Sequence, residues 1–244
     1  MRILQGLELR VRQLRRKLSP LIYAGNNVYC PFCDRNYRSF RAAGRRKFKR
    51  LNAVCPVCGS RERDRLMHYF LETRSDLYLP NGKLLHIAPE PCLGPAIRKF
   101  GKGTYLSCDL FRRDVDTQLN IEQMPFSDAS FDIVFCSHVL PEVEHDLLAI
   151  REIHRVLHPR GWALVSVPFQ GTNTVQVQPG DGNEAPPEFF RIYGTNFSQV
   201  LTDEGFCVET IQLDDVLNRE QQARMRVNQQ TASAIYVLKK SKRA

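Results

Sequence analysis

Four cysteines in two close pairs constrain this chain more than anything else in it. Cys30-Pro31-Phe32-Cys33 is followed by 21 residues and then by Cys55-Pro56-Val57-Cys58-Gly59. Two such knuckles can supply four thiolates to one tetrahedral zinc ion, because each short turn aims both its sulfurs at one point. The separation is one residue beyond the usual range, a difference that a loop absorbs. Gly59 permits the close backbone turn that follows. The competing reading is two redox dithiols or a disulfide pair. A redox dithiol usually sits at a helix start in a thioredoxin-like unit, which two proline-containing knuckles fit poorly. Four sulfurs close the coordination shell, so a zinc ion held here is structural, with no open position for catalysis.

The chain has 244 residues, 43% of them hydrophobic and 25% charged. That is enough for one sizeable core beside a small module. The net charge of +9 is uneven: residues 1–75 carry 18 Lys+Arg against 5 Asp+Glu, and the other 169 carry 17 against 21. A basic N-terminal third suits nucleic acid, anionic lipid or an acidic substrate, or is simply a solvated face. No apolar run approaches the roughly 20 residues that span a bilayer. The opening MRILQGLELRVRQLRRKLSP does not read as a signal peptide, because charges interrupt any apolar core region. A cytoplasmic protein is expected. Cys92, Cys108, Cys136 and Cys207 are scattered and read as small buried hydrophobes.

Residues 1–27 read as a basic amphipathic helix, with Leu4, Leu7, Val11, Leu14 and Leu18 at spacings of three and four and a stop at Pro20. Such a helix packs on its own protein or makes peripheral contact with a membrane. Residues 28–60 form the cysteine module. Residues 61–82 predict a connecting helix capped by Ser60. From residue 83 to 244, strands and helices alternate. KLLHIA, TYLSCDL, DVDTQL, SFDIVFCSH, GWALVSVPF, FCVETIQL and TASAIYVLKK read as strands. Cys92–Phe100, Glu142–His158 and Asn196–Glu204 read as helices. The apolar run of SFDIVFCSH is that of a buried parallel strand. The pattern predicts an α/β, doubly wound sheet, with ligands beyond the C-terminal strand ends. GTNTVQVQPGDGNEAPPEFF is too long for a simple connection and reads as a functional loop or lid.

Four segments carry a resemblance over roughly Lys83 to Lys240. Met124-Pro125-Phe126-Ser127-Asp128-Ala129-Ser130-Phe131-Asp132 runs into a strand. Cys136-Ser137-His138-Val139-Leu140 ends it. Arg155-Val156-Leu157-His158-Pro159-Arg160-Gly161 precedes the next strand. Asp109 closes an earlier one. In this order and spacing they resemble the class I S-adenosylmethionine-dependent methyltransferases of the type 11 kind, which include the quinone-biosynthesis C-methyltransferases. A four-cysteine knuckle module before such a domain also resembles a group of bacterial methyltransferases, many of unknown substrate. The resemblance implies a Rossmann-like seven-stranded sheet with a small N-terminal zinc-ribbon-like module, and S-adenosylmethionine as cofactor. It places Asp109 on the ribose hydroxyls, Asn120 and the Ile121 backbone at adenine, and Ser137 beside the cofactor.

The first turn departs from the family. His86 stands at the usual acidic position, and Ala88-Pro89-Glu90 replaces the first glycines. Glycines there allow positive φ and close backbone approach, whereas proline fixes φ near −65°. Glu90 is expected on the ammonium of the cofactor and His86 on its methionine end. The alternative is a rigid turn that binds nothing. After the fourth strand, His138 and Glu142 are the candidate bases. Related knuckle-bearing sequences tend to read HVLEHV there, and here Pro141 and Glu142 replace the acidic residue and the histidine. Arg191 and Tyr193 are candidates to hold an anionic substrate and a hydroxyl, or else serve helix entry and packing.

Three functions follow from these readings. One is methyl transfer to a small-molecule or glycan hydroxyl or amine. The second is RNA methylation, with Arg35, Arg38, Arg45, Arg46, Lys47, Lys49 and Arg50 on phosphates and Tyr37, Phe40 and Phe48 as stacking platforms. The third is a non-catalytic methyltransferase-like binding protein.

Overall fold

A computed structural model describes residues 18–44, 49–100, 103–180, 186–229 and 234–241. The expected N-terminal helix lies mostly outside these residues, although 18–22 are helical. Arg45, Arg46, Lys47 and Phe48 also lie outside them.

The cysteine module is two small antiparallel hairpins. β1 (Val28–Cys30) pairs with β2 (Arg35–Tyr37), and β3 (Arg41–Ala43) with β4 (Arg50–Val54). Each hairpin ends at or beside a knuckle. Helix α1 (Glu62–Thr73) follows. Its N-cap is Arg61 rather than Ser60, and the Asp64 carboxylate accepts the Arg61 backbone N–H at 2.8 Å. The Ser60 hydroxyl is drawn instead to the sulfurs of Cys30 and Cys58, at 3.4 and 3.2 Å. Expected as a connector, α1 also buries Leu66, Met67, Phe70 and Leu71 in the main core.

The rest of the chain folds around one seven-stranded sheet. Its strands are β5 (Leu84–Ile87), β6 (Tyr105–Asp109), β7 (Thr117–Gln118), β8 (Phe131–Ser137), β9 (Leu157–Val167), β12 (Phe206–Ile211) and β13 (Ala234–Lys240). The spatial order is β12-β13-β9-β8-β5-β6-β7. β13 runs antiparallel to both its neighbours, and the pairs from β9 to β7 are parallel. This is the Rossmann-like methyltransferase sheet. The period-two alternation of each strand sorts the core into two faces. Leu85, Ile87, Val134 and Cys136 pack toward α3 (Asp146–Val156) and α4 (Phe197–Asp203). Leu84, Ile133, Phe135, Trp162 and Leu164 pack toward α1. The Trp162 indole N–H donates to the Leu77 carbonyl at 2.9 Å, so its one polar atom is satisfied inside the core.

Several boundaries differ from expectation. The helix expected over Glu142–His158 is Asp146–Val156, because Pro141 fixes a short 3-10 turn at Leu140–Glu142 first. Leu147 lies 41% exposed, and the buried face is Ala149, Ile150, Ile153 and Val156. The helix after β5 shrinks to α2 (Gly94–Ile97). β9 begins at Leu157, taking in the end of the expected helix and the Pro159–Gly161 segment ahead of the expected strand. The long loop contributes β10 (Val175–Gln176), paired with β11 (Arg191–Ile192), while 181–185 lie outside the described residues. Two short helices, α5 (Leu213–Val216) and α6 (Arg219–Met225), were not legible in the pattern. Cys108 and Cys136 are buried as expected, whereas Cys207 is exposed. Among the described residues, no helix is long and apolar enough to cross a membrane.

Candidate active site and metal centre

The four knuckle sulfurs converge. The sulfurs of Cys30, Cys33, Cys55 and Cys58 all lie within 4.8 Å of one another. Cys30 and Cys58 are 3.5 Å apart, and Cys33 and Cys55 are 3.7 Å apart. A tetrahedron with metal–sulfur bonds of ~2.3 Å has edges of about 3.8 Å, whereas a disulfide needs about 2.05 Å. The donor set therefore fits one tetrahedral ion and does not fit two disulfides. Gly59 has φ of +80°, the conformation that lets its N–H reach the Cys55 carbonyl at 3.1 Å. Hydrogen bonds from the other three sulfurs push the Cys30 thiol well above the ordinary range. A bound cation reverses that preference.

Arg65 joins this module to the sheet domain and was missed in the sequence. It is fully buried. Its guanidinium donates to the carbonyls of Ser60 at 2.8 Å, Ala53 at 3.1 Å and Met225 at 2.8 Å. It also lies 4.3 Å from the centre of the Phe40 ring. Arg224 adds a bond to Asn36 at 2.6 Å. Phe40 and Tyr37 are 4% and 1% exposed, so these two rings are closed to nucleobases. They form the module's core instead. Arg35 and Arg38 remain exposed.

The second centre is the crevice where the strand order reverses, between the C-terminal ends of β5 and β8. Both strands end in a left-handed residue that is not glycine. Ala88 has φ of +48° and His138 has φ of +57°. Each costs about 1–2 kcal/mol against ordinary backbone. The turn thus keeps the positive φ that glycine normally provides, and alanine carries it. The Ala88 N–H still bonds to the Cys108 carbonyl at 2.7 Å. Pro89 follows, and its carbonyl accepts from Arg112 at 2.6 Å.

His86 does not reach the crevice. It is fully buried, with Nδ1 at 2.9 Å from the Tyr105 hydroxyl and Nε2 at 3.3 Å from Glu90 Oε2. The tautomer that satisfies both accepts from Tyr105 and donates to Glu90. His86 therefore holds Glu90 in place. The other Glu90 oxygen, Oε1, is buried without a hydrogen-bond partner.

Asp109 ends β6 beside this turn. Its Oδ1 accepts the backbone N–H groups of Phe111 and Arg112 at 2.8 and 2.9 Å. That leaves Oδ2 for a ligand. Asn120 is exposed and bonds within its own turn, to Glu122. Ile121 buries its side chain in the core. Ser137, the last residue of β8, is buried beside Ser166.

His138 and Glu142 stand at the mouth of the crevice. Burial holds the His138 imidazole well below its ordinary range, and Arg63, Arg61 and Arg50 add to the effect. It is therefore neutral near pH 7. Partial desolvation lifts the Glu142 carboxyl, with Glu188 adding to the rise. Both groups keep a path to solvent. A concave mouth reconciles the two facts, since protein surrounds a group that still touches water.

Arg191 and Tyr193 are braces. Arg191 is 3% exposed, and its guanidinium donates to the carbonyls of Leu140, Val143 and Glu144. The Tyr193 hydroxyl donates to Asp146 at 2.6 Å. Of the two readings open for this pair, the geometry favours packing. Together they clamp the loop that carries His138 and Glu142.

A family model described as a methyltransferase domain matches residues 104–165. No curated protein matches the sequence. Among solved structures, the YcgJ protein from Bacillus subtilis is similar at 15% identity and a TM-score of 0.51, covering 72% of this chain and 99% of that one. A Burkholderia thailandensis 1,6-didemethyltoxoflavin-N1-methyltransferase, solved with S-adenosylhomocysteine, is similar at 10% identity and a TM-score of 0.52, covering 74% and 79%. The [4+2]-cyclase SpnF is similar at 14% identity and a TM-score of 0.51, covering 95% and 96%. At these identities the likeness is one of fold. The matched segment and the sheet order support the fold of a class I methyltransferase domain. That one neighbour is a cyclase shows why the reaction must be argued from the site.

Proposed function

We propose that this protein is an S-adenosylmethionine-dependent methyltransferase acting on a small-molecule or glycan hydroxyl or amine, with a structural zinc ion in its cysteine module. The observation that carries the reading is the crevice itself. Ala88 and His138 hold left-handed backbone at the two strand ends where the sheet order reverses, and the Asp109 carboxylate ends the neighbouring strand. The cofactor supplies an electrophilic methyl group when bound. Asp109 Oδ2 would accept from the ribose, the segment at Asn120 and Ile121 would border the adenine, and Ser137 would lie beside the cofactor. Ala88 and Pro89 would shape the backbone under its methionine end, and Glu90 Oε1 would take the ammonium. His138, kept neutral, takes the proton from an acceptor hydroxyl, and Glu142 orients that acceptor from the rim. Holding acceptor and methyl group in line supplies several kcal/mol on its own.

Calorimetric titration of the zinc-loaded protein with S-adenosylmethionine and S-adenosylhomocysteine tests the reading. Binding that Asp109→Ala weakens at least tenfold is expected. No heat from either ligand at millimolar concentration, in folded protein, would favour a non-catalytic binding protein. Exposed Arg35 and Arg38 support RNA as a second acceptor class, through phosphate contacts. Steeply salt-dependent binding of single-stranded RNA is the sign of it, and its absence leaves the small-molecule reading.

A further inference from the structure

Among the described residues, three buried polar atoms without hydrogen-bond partners lie on two elements that meet beside the first turn. They are Arg63 Nε, Asp64 Oδ1 and Glu90 Oε1. A buried polar atom left unmet gives up its hydration without return, so three on adjoining elements require an explanation. They come from two elements. Arg63 and Asp64 open α1, directly after the cysteine module. Glu90 opens the turn after β5, where its carbonyl accepts the N–H groups of Leu93 and Gly94. Cys92 Sγ ties the two elements together by donating to Asp64 Oδ2 at 3.5 Å.

Arg63 and Asp64 do not satisfy each other. Arg63 Nε lies 3.6 Å from Asp64 Oδ1, near enough for attraction and too far for a hydrogen bond. Asp64 is 3% exposed. Its carboxyl is pushed up chiefly by burial; the Arg63 charge opposes that rise and the nearby Glu90 charge adds to it. Two carboxylates and one guanidinium thus keep unmet hydrogen-bonding capacity, the ion pair of Arg63 with Asp64 notwithstanding.

We infer that the start of α1 completes the subsite for the amino-acid end of the cofactor, with Arg63 on the carboxylate and Asp64, beside Glu90, on the ammonium. The inference rests on the methyltransferase reading above and deepens it. An α-amino acid head carries one group of each sign, which is what these three atoms lack. A guanidinium suits a carboxylate in geometry as well as charge. An ammonium between Asp64 and Glu90 relieves both carboxylates at once. The cysteine module therefore takes part in cofactor binding, since it fixes the chain five residues before Arg63. It does so through the Arg50 to Glu62 ion pair at 3.1 Å and the bonds of Arg65.

The test compares two ligands on the full-length, zinc-loaded protein. S-adenosylhomocysteine has the amino-acid head, and 5′-methylthioadenosine keeps the adenosine and lacks it. Arg63→Ala and Asp64→Asn should each weaken S-adenosylhomocysteine by on the order of 10- to 100-fold. Both should leave 5′-methylthioadenosine within about twofold. Thermal melts establish that each variant is folded, and Arg63→Gln is read instead if Arg63→Ala is not. Equal losses for the two ligands, or no loss for either, would overturn the inference while the methyltransferase reading stands. Wild-type protein that binds neither ligand overturns both.

Discussion

The cysteine module and the sheet domain beside it hold together by different means. The module's own core is Val28, Cys30, Tyr37, Phe40 and Cys55, too little apolar surface to order the segment alone. Its four sulfurs converge on one point, and the zinc ion proposed there would organise it. The sheet domain buries two large clusters, one on each face, and needs no such centre. The regions meet at Arg65 and along α1, which belongs to both. On the proposed reading, a zinc ion on the four sulfurs orders one wall of the crevice, while the sheet orders the opposite wall and the strand ends.

Metal removal should have the largest effect, and it should separate the two regions. Chelation takes away an ion whose binding is worth on the order of 10 kcal/mol in small structural zinc sites. The expected outcome is that residues 28–60 become open to trypsin and the four knuckle thiols react with a thiol reagent. The sheet should stay folded, as reported by the emission of the buried Trp162. Simultaneous collapse of Trp162 packing would show one cooperative unit and break the comparison.

Arg65 is the next test, because it is the joint. Arg65→Met removes the donor to Ser60, Ala53 and Met225 and leaves those carbonyls to find water or go unmet. A loss of about 3–5 kcal/mol is expected from breaking a buried charged network, measured by urea unfolding of the zinc-loaded protein. Arg65→Lys keeps the charge and loses the fork, so it should recover only part. A loss below about 1 kcal/mol for Arg65→Met would mean that the module is held by its knuckles alone.

How much of this was legible in the sequence follows the same division. The cysteine site was readable because both knuckles are local, and spacing alone brings the sulfurs together. The strands β5 and β8 were readable because burial on a sheet leaves a run rich in apolar residues. Arg65 was not, since its partners Ala53, Ser60 and Met225 are carbonyls whose side chains carry no signal. Arg191 and Tyr193 suited substrate binding and packing equally on paper, because a guanidinium and a phenol serve either purpose. Only the carbonyls of the loop at Leu140 to Glu144, and Asp146 beyond them, favour the second. The helix α1 was visible as a helix, but amphipathic spacing shows that a face is buried and never against what. The positive φ of Ala88 was invisible for a simpler reason, which is that alanine announces no backbone preference.

That residue gives the smallest and sharpest of the expected effects. Ala88→Gly removes a left-handed penalty of about 1–2 kcal/mol and adds about 0.5–1 kcal/mol of unfolded-state entropy. A net gain of about 0.5 kcal/mol in stability is expected, read as a small rise in the urea midpoint at constant slope. The gain should be confined to the sheet domain, with thiol protection in the module unchanged, because Ala88 touches the strand ends and not the knuckles. The same substitution restores the residue that the turn would ordinarily have. If the turn is a variant cofactor loop, affinity for S-adenosylhomocysteine should therefore hold within about threefold, since the backbone path that glycine prefers is the one alanine already follows. A clear loss of stability would instead mean that the Ala88 methyl group packs the crevice floor, and that the left-handed turn owes its shape to that contact.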